Sequence, residues 1–385
     1  MKRKICVVVT ARASYCRIKS ALMAIRAHAD LELQLVLAAS TLLDRYGNAA
    51  QFIESDGFDV AARVYMVVEG ENPVTSAKST GMGLMELATV FDNLKPDIVI
   101  TIADRYETLA TAVAASFMNI TLGHIQGGEV TGSIDEKVRH AVTKLANYHF
   151  VATQKSAERV IKMGEHSESV FVTGCPSISV AAEVAAQPTL DFDPLAKYGG
   201  VGESLDLSDG YVVVAQHPVT TEYAANRKHV VETLHAVKDI GMPVLWFWPN
   251  VDAGSDGTSK GIRAFREQEK PRNIHFFKHM SPEDFLRLTY NSRCIVGNSS
   301  VGIRECSFLG VPAVNIGTRQ AGRERGRNVI DVEYDRSQIR NALVTQIGNG
   351  NGRTKDLLYG DGQAGQRIAK LLAEVPLVVE KRLTY

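Results

Sequence analysis

Short apolar runs rich in β-branched residues alternate with segments of helical periodicity along the whole chain. This alternation is typical of parallel sheets that are buried on both faces and connected by helices. The runs predict strands at residues 4–9, 33–39, 97–103, 120–125, 148–153 and 170–174 in the first half, and at 211–216, 244–249, 273–278, 294–299, 311–316 and 328–332 in the second. The expected fold class is therefore α/β, with two doubly wound, Rossmann-like domains.

Residues 185–210 interrupt this alternation, because they contain prolines, a glycine pair and polar turn residues without a steady period. A chain of 385 residues is also longer than one hydrophobic core usually serves. We expect an N-terminal domain over residues 1–180, a linker over 181–210 and a C-terminal domain over 211–365.

Polar residues follow the predicted strands at their carboxyl ends. They are Arg12, Asp104, Arg105, His124, His217, Asn250, His279, Asn298, Ser299, Ser300 and Arg319. Ligands of open α/β sheets bind outside these strand ends, and two sheets that face each other across an interdomain cleft would direct both sets at one ligand. An ordinary strand-end cap explains any single position, whereas eight such strand ends in register favour a ligand site.

The segment HIQGGEVTGSIDEKVRHA (124–141) has a plain structural interpretation as a turn followed by a capped helix. Ser133 and Glu136 form the pattern of a capping box, and apolar residues then recur on one helical face. This interpretation leaves His124, Gln126, Glu129 and two adjacent glycines unexplained. Glycines at a strand end usually mean that backbone or a ligand comes close.

Composition excludes several classes of partner. The chain has 43 basic and 43 acidic residues and a formal net charge of zero, so no nucleic-acid or membrane partner is expected.

The five cysteines of the chain are scattered without metal-ligand spacing, which favours free thiols in a reducing cytoplasm. The apolar run near the start spans only about six residues, too few for a signal peptide. No run approaches the roughly 20 residues of a membrane span.

The first βα turn, VVTARASYCRI, contains no GxGxxG pattern, which argues against a nicotinamide cofactor. Arg12 in this turn suits a phosphate or a carboxylate, although a solvated loop arginine is an equal alternative.

The segment GNSSVGIRE (297–305) predicts an anion site at a helix start, with Ser299 and Ser300 beside free N–H groups and Glu305 available to a ribose diol. The alternative is a serine N-cap with a capping-box glutamate. Because Arg319 follows the next strand, a diphosphate site is favoured.

Four further strand ends carry candidate residues, and three of these residues also have an ordinary structural explanation. A carboxylate at Asp104 is costly to bury unless it is paired, so either a structural pair with Arg105 or an acid/base group is expected. His217 is a phosphate donor, a proton carrier or a helix cap. Asn250 suits sugar or base hydroxyls, whereas His279 precedes the helix cap Ser281 and can be a plain loop residue.

Eight blocks follow one another along the chain: ADRYE, HIQGGEVTGSIDEKVRHAVTKLA, TGCPS, QHPVTTE, WPNVDAGS, KHM, GNSSVGIRE and GTRQAGRERGRNV. With these blocks in this order, the chain resembles the hydrolysing UDP-N-acetylglucosamine 2-epimerases of sialic acid synthesis. The resemblance extends over nearly the full chain. It implies a glycosyltransferase-B fold, with the nucleotide on the C-terminal domain and a helix within 366–385 packing back toward the first domain. It also implies a homo-oligomer, dimer or tetramer, without metal or cofactor. The implied reaction is anti elimination of the nucleoside diphosphate to a glycal, followed by hydration that releases free N-acetylmannosamine.

The resemblance also assigns residues to roles. Asp104 and Asp135 match catalytic acids, His217 matches a catalytic or phosphate-contacting histidine, and His124 lies in the sugar pocket. The family's contacts to the nucleotide sugar correspond to Arg12, Arg105 and Asn250. The family positions that hold uridine, diphosphate and ribose correspond to His279, Ser299, Ser300, Glu305 and Arg319. Which carboxylate removes the C2 proton stays open.

One position departs from the family. Members commonly carry a catalytic glutamate where this chain has Gln126, and a neutral amide is not a base. Either Glu129 shares the work, or the proton assignments differ, or activity is low. Ser14 and Cys16 also differ from the frequent residues, which favours a modified substrate such as a UDP-2,4-diacetamido-6-deoxyhexose on the legionaminic acid route. A non-catalytic nucleotide-sugar binding protein is the alternative from another class, and glycosyl transfer lacks an evident acceptor site.

Overall fold

The computed structural model of the chain describes residues 2–43, 49–70, 72–102, 105–131, 134–249, 254–278, 280–348 and 353–384. Contacts divide the chain into two compact units. Unit 1 comprises Met1–Glu129, Ile134–Ser179 and Tyr359–Tyr385, and unit 2 comprises Val130–Ser133 and Val180–Leu358.

Unit 1 contains a seven-stranded sheet in the order β3-β2-β1-β4-β5-β6-β7, with every neighbouring pair parallel. The strands are β1 (Arg3–Val9), β2 (Leu31–Ala38), β3 (Val60–Val64), β4 (Ile98–Ile102), β5 (Thr121–Ile125), β6 (Tyr148–Val151) and β7 (Val170–Val172). The six strands predicted for this half are confirmed, but β3 was missed. It lies at the sheet edge, and its partly or fully buried positions alternate with exposed ones instead of forming a continuous apolar run.

Helices cover both faces of this sheet. They are α1 (Arg12–Ala27), α2 (Ala49–Ser55), α3 (Pro73–Leu94), α4 (Tyr106–Phe117), α5 (Asp135–Leu145), α6 (Gln154–Lys162), α7 (Ser177–Ala186), which ends in unit 2, and α14 (Ala364–Glu374). Ile5, Val7 and Val9 of β1 pack with α1 and α14, whereas Cys6 and Val8 pack with α3 and α4 on the opposite face. Two covered faces explain why β1 is apolar throughout.

The last helix of unit 1 lies directly on the first. A Cβ atom at Gly365 of α14 would lie 2.5 Å from the carbonyl oxygen of Ser20 in α1, so only glycine permits this approach. Arg3 donates from Nη1 to the carbonyls of Leu372 (2.6 Å) and Val375 (2.8 Å), which closes the carboxyl end of α14.

Unit 2 contains a six-stranded parallel sheet in the order β10-β9-β8-β11-β12-β13. Its strands are β8 (Val212–Ala215), β9 (Val244–Phe247), β10 (Ile274–Phe277), β11 (Cys294–Gly297), β12 (Ala313–Ile316) and β13 (Val329–Val332), and its helices are α8 (Pro194–Tyr198), α9 (Asn226–Lys238), α10 (Ser255–Glu269), α11 (Pro282–Asn291), α12 (Glu305–Leu309) and α13 (Arg336–Gly348). All six strands predicted for this half are confirmed. Each sheet reverses its strand order once, between β1 and β4 and between β8 and β11, where open α/β sheets bind ligands.

Within the described ranges, no helix has both the length and the apolar character needed to cross a bilayer.

A buried ionic cluster in unit 1 predicts acid sensitivity. Burial lowers the pKa of His149. Burial opposes the charge of Glu165, but hydrogen bonds from His149, Lys144 and Lys381 outweigh it and hold the pKa of Glu165 at about 2. Both shifts mean that His149 and Glu165 bind protons more readily in the unfolded chain than in the folded one. The free energy of unfolding should therefore fall as the pH drops below 6.5. It should fall by about 3 kcal/mol more between pH 4.5 and 2, where Glu165 is protonated.

Urea unfolding across this pH range measures the effect. The Glu165→Gln variant should lose the part of the pH dependence below pH 4.5. An unaltered profile in this variant would show that the carboxylate is not its source.

Candidate functional site

The strand ends at the centre of the unit 2 sheet are bound together through Asn298. Its buried side chain accepts a hydrogen bond from the backbone N–H of His217 (2.7 Å) and donates one to the His217 carbonyl (2.8 Å). The loop after β8 is thereby held to the loop after β11 at the point where strand order reverses. Two hydrogen bonds of opposite direction to one side-chain amide fix the backbone of His217.

Close backbone approach at this point requires glycine. Gly297 has φ +132°, and a Cβ atom there would lie 2.3 Å from the carbonyl oxygen of Ala215. Gly297→Ala should therefore lower the free energy of unfolding by about 3 kcal/mol or more, measured by urea titration. Gly81→Ala in α3 is the matched control, because no atom lies within 4 Å of its Cβ position, and it should stabilise by about 0.5–1 kcal/mol. Equal effects of the two substitutions would contradict the close-approach explanation.

Arg319 lies at the same place. It belongs to the 3₁₀ turn Thr318–Gln320 that follows β12. The carbonyl oxygen of Asn298 accepts hydrogen bonds from Arg319 Nη1 (3.3 Å) and Gln320 Nε2 (2.9 Å). His217, Asn298 and Arg319 therefore come together although three different strands carry them.

The serine-rich turn after β11 differs in detail from the expected helix start. Ser300–Gly302 form a 3₁₀ turn, and α12 begins only at Glu305 and spans five residues. Ser299 Oγ accepts from the N–H of Val301 (3.4 Å), and Ser300 Oγ accepts from Arg304 Nη2 (2.8 Å). Positive charge near the serines therefore comes from a buried arginine more than from a long helix.

Glu305 is suited to a polar ligand. Its side chain is 5% exposed, and its Oε2 atom has no hydrogen-bond partner among the described residues. Glu305 is the first residue of α12 and not the third, which is the position of a capping-box glutamate. A buried carboxylate oxygen without a partner is costly, so a hydroxyl donor from a ligand would stabilise it.

A second group of residues around Arg319 was not singled out from the sequence. Thr318 Oγ1 donates to the Glu222 carboxylate. The ring of Tyr334 stacks on His229 with centroids 3.6 Å apart, and burial raises the pKa of Tyr334 to about 12. A Cβ atom at Gly317 would lie 2.2 Å from that ring, so the group sets the path of the turn that carries Arg319. Glu222 closes the QHPVTTE block and Thr318 lies in the GTRQ block, whereas His229 and Tyr334 had no sequence signal.

In unit 1, both predicted arginines lie at the carboxyl ends of central strands. Arg12 is the first residue of α1, after β1, and Arg105 is the N-cap of α4, after β4. Arg105 Nη2 lies 3.2 Å from Oε1 of the fully buried Glu107. The sequence suggested Asp104 as its partner, but Asp104 lies outside the described residues. Glu107 closes the same ADRYE block and was overlooked because its burial is not evident from the sequence.

Gln126 occupies a tight, buried turn after β5. It is 2% exposed with φ +67°, and its Nε2 donates to the Cys175 sulfur at 2.9 Å. The same sulfur lies 3.0 Å from Ser177 Oγ. At Gly128 a Cβ atom would lie 2.2 Å from the carbonyl oxygen of Ser156, which explains a glycine there. The amide of Gln126 thus ties the turn to the start of α7.

Helix α5 connects the remaining predicted residues. Asp135 is its first residue, and Arg139, one turn later and 1% exposed, donates from Nη1 to the carbonyl of Glu129 (2.8 Å). Near its other end, Thr143 Oγ1 lies 3.2 Å from Nδ1 of the buried His124. One helix thus carries Asp135, holds Glu129 and contacts His124.

Asp104, Asn250 and His279 lie outside the described residues, as does Ser133 of the expected capping box. Among the residues that are described, no three His, Cys, Asp or Glu side chains are grouped so that they could hold a metal ion.

Residues 23–373 match the family described as UDP-N-acetylglucosamine 2-epimerase. The UDP-N,N'-diacetylbacillosamine 2-epimerase (hydrolyzing) of Legionella pneumophila is 31% identical over 377 residues, which cover 98% of this chain and 97% of that protein. The UDP-N-acetylglucosamine 2-epimerase of Neisseria meningitidis is 28% identical over 94% of this chain and 91% of that protein. These matches confirm the resemblance seen in the sequence.

The crystal structure of the UDP-GlcNAc 2-epimerase from Neisseria meningitidis bound to UDP-GlcNAc is similar to this chain with a TM-score of 0.79. It is 16% identical, and the match covers 97% of this chain and 100% of that one. With the two parallel sheets, this likeness confirms the α/β fold class of glycosyltransferase-B type.

Proposed function

The chain belongs to the UDP-N-acetylglucosamine 2-epimerase family, and on that premise we propose that it is a hydrolysing 2-epimerase that converts UDP-N-acetylglucosamine and water to N-acetylmannosamine and UDP. The observation that carries this proposal is the arrangement around α5, which combines Asp135 in its first turn, the 4% exposed Glu129 and a contact to His124. A reaction with two proton transfers needs several acid/base groups in one place.

The proposed chemistry has two steps. In the first, a base removes the C2 proton, the C1–C2 double bond forms, and the C1–O bond breaks with its electron pair leaving on the diphosphate. In the second, water adds to the glycal, with a proton delivered to C2 and a hydroxyl to C1, and free N-acetylmannosamine leaves. We assign Asp104, Asp135 and Glu129 jointly to the proton transfers. Gln126 is assigned to shaping the turn, because an amide is not a base at neutral pH.

We assign the nucleotide to unit 2. Arg319 and His217 suit the diphosphate, since guanidinium and N–H donors stabilise a leaving phosphate oxygen. Ser299 and Ser300 supply further donors, and the unpartnered oxygen of Glu305 suits the ribose diol. Asn250 and His279 are assigned to the same nucleotide site by resemblance, and Arg12, Arg105 and His124 to the sugar and phosphate from unit 1.

The same reaction on a UDP-2,4-diacetamido-6-deoxyhexose is a second candidate. Two observations favour it: the neutral Gln126 bound to Cys175, and the 31% identity to the hydrolysing diacetylbacillosamine enzyme of Legionella pneumophila. We also propose a cytoplasmic location, which the free thiols of all five cysteines support. A homo-oligomer stays a prediction, which light scattering of the purified protein tests.

Proton NMR in heavy water, without added metal or nicotinamide, tests the reaction on each substrate. We expect UDP and a free 2-epimeric sugar with deuterium at C2, because the C2 proton is exchanged with solvent during elimination and hydration. Release of the diacetamido sugar alone would select the second candidate. UDP binding without turnover of either nucleotide sugar would instead support a non-catalytic binding protein.

A further inference from the structure

The segment 376–384, which follows α14, is bound along its length to unit 1 although it forms neither helix nor strand. The Tyr148 hydroxyl donates to the Pro376 carbonyl (2.7 Å), and Thr121 Oγ1 donates to the Val378 carbonyl (3.0 Å). Farther along, the N–H of Thr384 donates to the Gly164 carbonyl (3.2 Å). These contacts run from β5 and β6 to the loop after α6, and they hold the segment in one path.

Lys381 in this segment caps helix α5. Its ammonium donates to the carbonyls of Thr143 (2.9 Å) and Ala146, which lie in and just after the last turn of the helix. Carbonyls there have no partner within the helix, and a cation beside them also interacts favourably with the helix dipole. Lys381 therefore fixes the end of α5 opposite to Asp135.

A buried carboxylate holds the ammonium in place. Glu165, whose side chain is 2% exposed, lies 2.6 Å from Lys381 and 2.6 Å from Lys144, and its other contact is to His149 at 3.0 Å. Lys144 belongs to α5 and also donates to the Met163 carbonyl (3.0 Å). Three donors around one carboxylate join the segment, α5, β6 and the loop after α6, and a buried ion pair is sensitive to the loss of either partner.

The capped turn reaches the candidate site through one residue. Thr143 accepts from Lys381 with its carbonyl and contacts His124 Nδ1 with its hydroxyl, 3.2 Å away. Gly127 packs against the same pair, since a Cβ atom there would lie 3.1 Å from both His124 Nδ1 and Thr143 Oγ1. A shift of the last turn of α5 would therefore move the histidine and the glycine turn together.

We propose that Lys381 is a positioning residue for the sugar-side site: by capping α5 it places Thr143, and Thr143 places His124. For its catalytic consequence this assignment rests on the proposed function. It gives the segment 376–384 a role in turnover although the segment contacts none of the predicted catalytic groups in the described part of the chain.

Lys381→Met, which keeps the apolar stem and removes the ammonium, tests the assignment. We expect kcat to fall about tenfold, because small misplacement of reacting groups is costly, while the Kd for UDP stays within about twofold of the wild type. Lys381→Arg should restore most of kcat. Lys370→Met is the matched control, since this lysine of α14 is 73% exposed and its ion pair within the described ranges is a distant one with Glu374 (4.0 Å), so its kcat should be unchanged. Wild-type kcat in folded Lys381→Met, or equal losses of kcat and UDP affinity, would overturn the proposal.

A second measurement does not depend on turnover. The ring ¹⁵N resonances of His124 should shift in Lys381→Met and in Thr143→Val, which removes the hydroxyl and leaves the carbonyl, but not in Lys370→Met. If Lys381→Met does not fold, Thr143→Val decides. Unchanged His124 resonances in the folded variants would overturn the positioning role. Absence of turnover in the wild type would count against the proposed function alone.

Discussion

Asp135→Asn is expected to lower kcat by about a thousandfold while the Kd for UDP changes less than about twofold, because general acid/base catalysis typically contributes factors of 10²–10⁴. Asparagine has the same shape but takes up no proton at neutral pH. Asp135 opens α5, and the same helix holds Glu129 through Arg139, so the substitution removes one carboxylate from a group that shares the proton transfers. Single-turnover kinetics and calorimetric UDP titration measure the two quantities.

Glu136→Gln is the matched control for this prediction, because Glu136 lies in the same first turn and pairs with His140 at 3.2 Å on a partly exposed face. Its kcat should stay near the wild-type value. Asp104→Asn should behave like Asp135→Asn. A variant that releases UDP but accumulates the glycal has lost a group of the hydration step, whereas a variant that releases neither UDP nor glycal has lost the carboxylate that removes the C2 proton. Equal loss of UDP binding in both variants would argue against catalytic roles.

Arg319→Ala should weaken UDP binding by about 10- to 100-fold, since a hydrogen bond to a charged group contributes roughly 1.5–3 kcal/mol. Arg319 lies beside the Asn298 carbonyl at the centre of the unit 2 sheet, where we assign the diphosphate. Arg319→Lys should recover part of the affinity, because lysine keeps the charge but not the planar fork. Glu305→Ala should lower the affinity for UDP more than the affinity for uracil, because the proposed partner of Glu305 is the ribose and uracil has none.

Arg327→Ala is the control for these variants, because Arg327 lies in the following loop and is exposed. Its Kd for UDP should match the wild type when both are measured by calorimetry at the same salt concentration. Unchanged UDP affinity in Arg319→Ala would remove that arginine from the nucleotide site. Unchanged UDP affinity in Glu305→Ala would show that the ribose of UDP is not the partner of the Glu305 carboxylate.

Continuous apolar runs located twelve strands correctly, because a strand covered by helices on both faces has to be apolar along its length. The same reasoning missed β3, whose outer position in the sheet lets Arg63 stand among alternating apolar residues. The carboxyl-end positions of Arg12, Arg105 and His217 also followed from the sequence, since parallel connections bring the carboxyl ends of the strands within each sheet to the same edge of that sheet.

Partners within the candidate site did not follow from the sequence. Arg105 pairs with the buried Glu107, which the sequence analysis did not single out. Gln126 binds Cys175, which lies 49 positions away. The helix at the serine-rich turn begins at Glu305 after a 3₁₀ turn, and a buried Arg304 contacts Ser300 there. The burial of Glu107 and Arg304, and the contact between Gln126 and Cys175, depend on packing against other elements.

The amino-acid sequence by itself determined the two doubly wound halves, twelve of their strands and the family, because hydrophobic periodicity and ordered motif blocks are properties of neighbouring residues. Only the tertiary structure decided that Glu165 gathers three donors and that Lys381 caps α5 from 238 positions away. Contacts over such separations leave no local period, since they form only when burial brings distant charged groups together and removes the water that would otherwise solvate them.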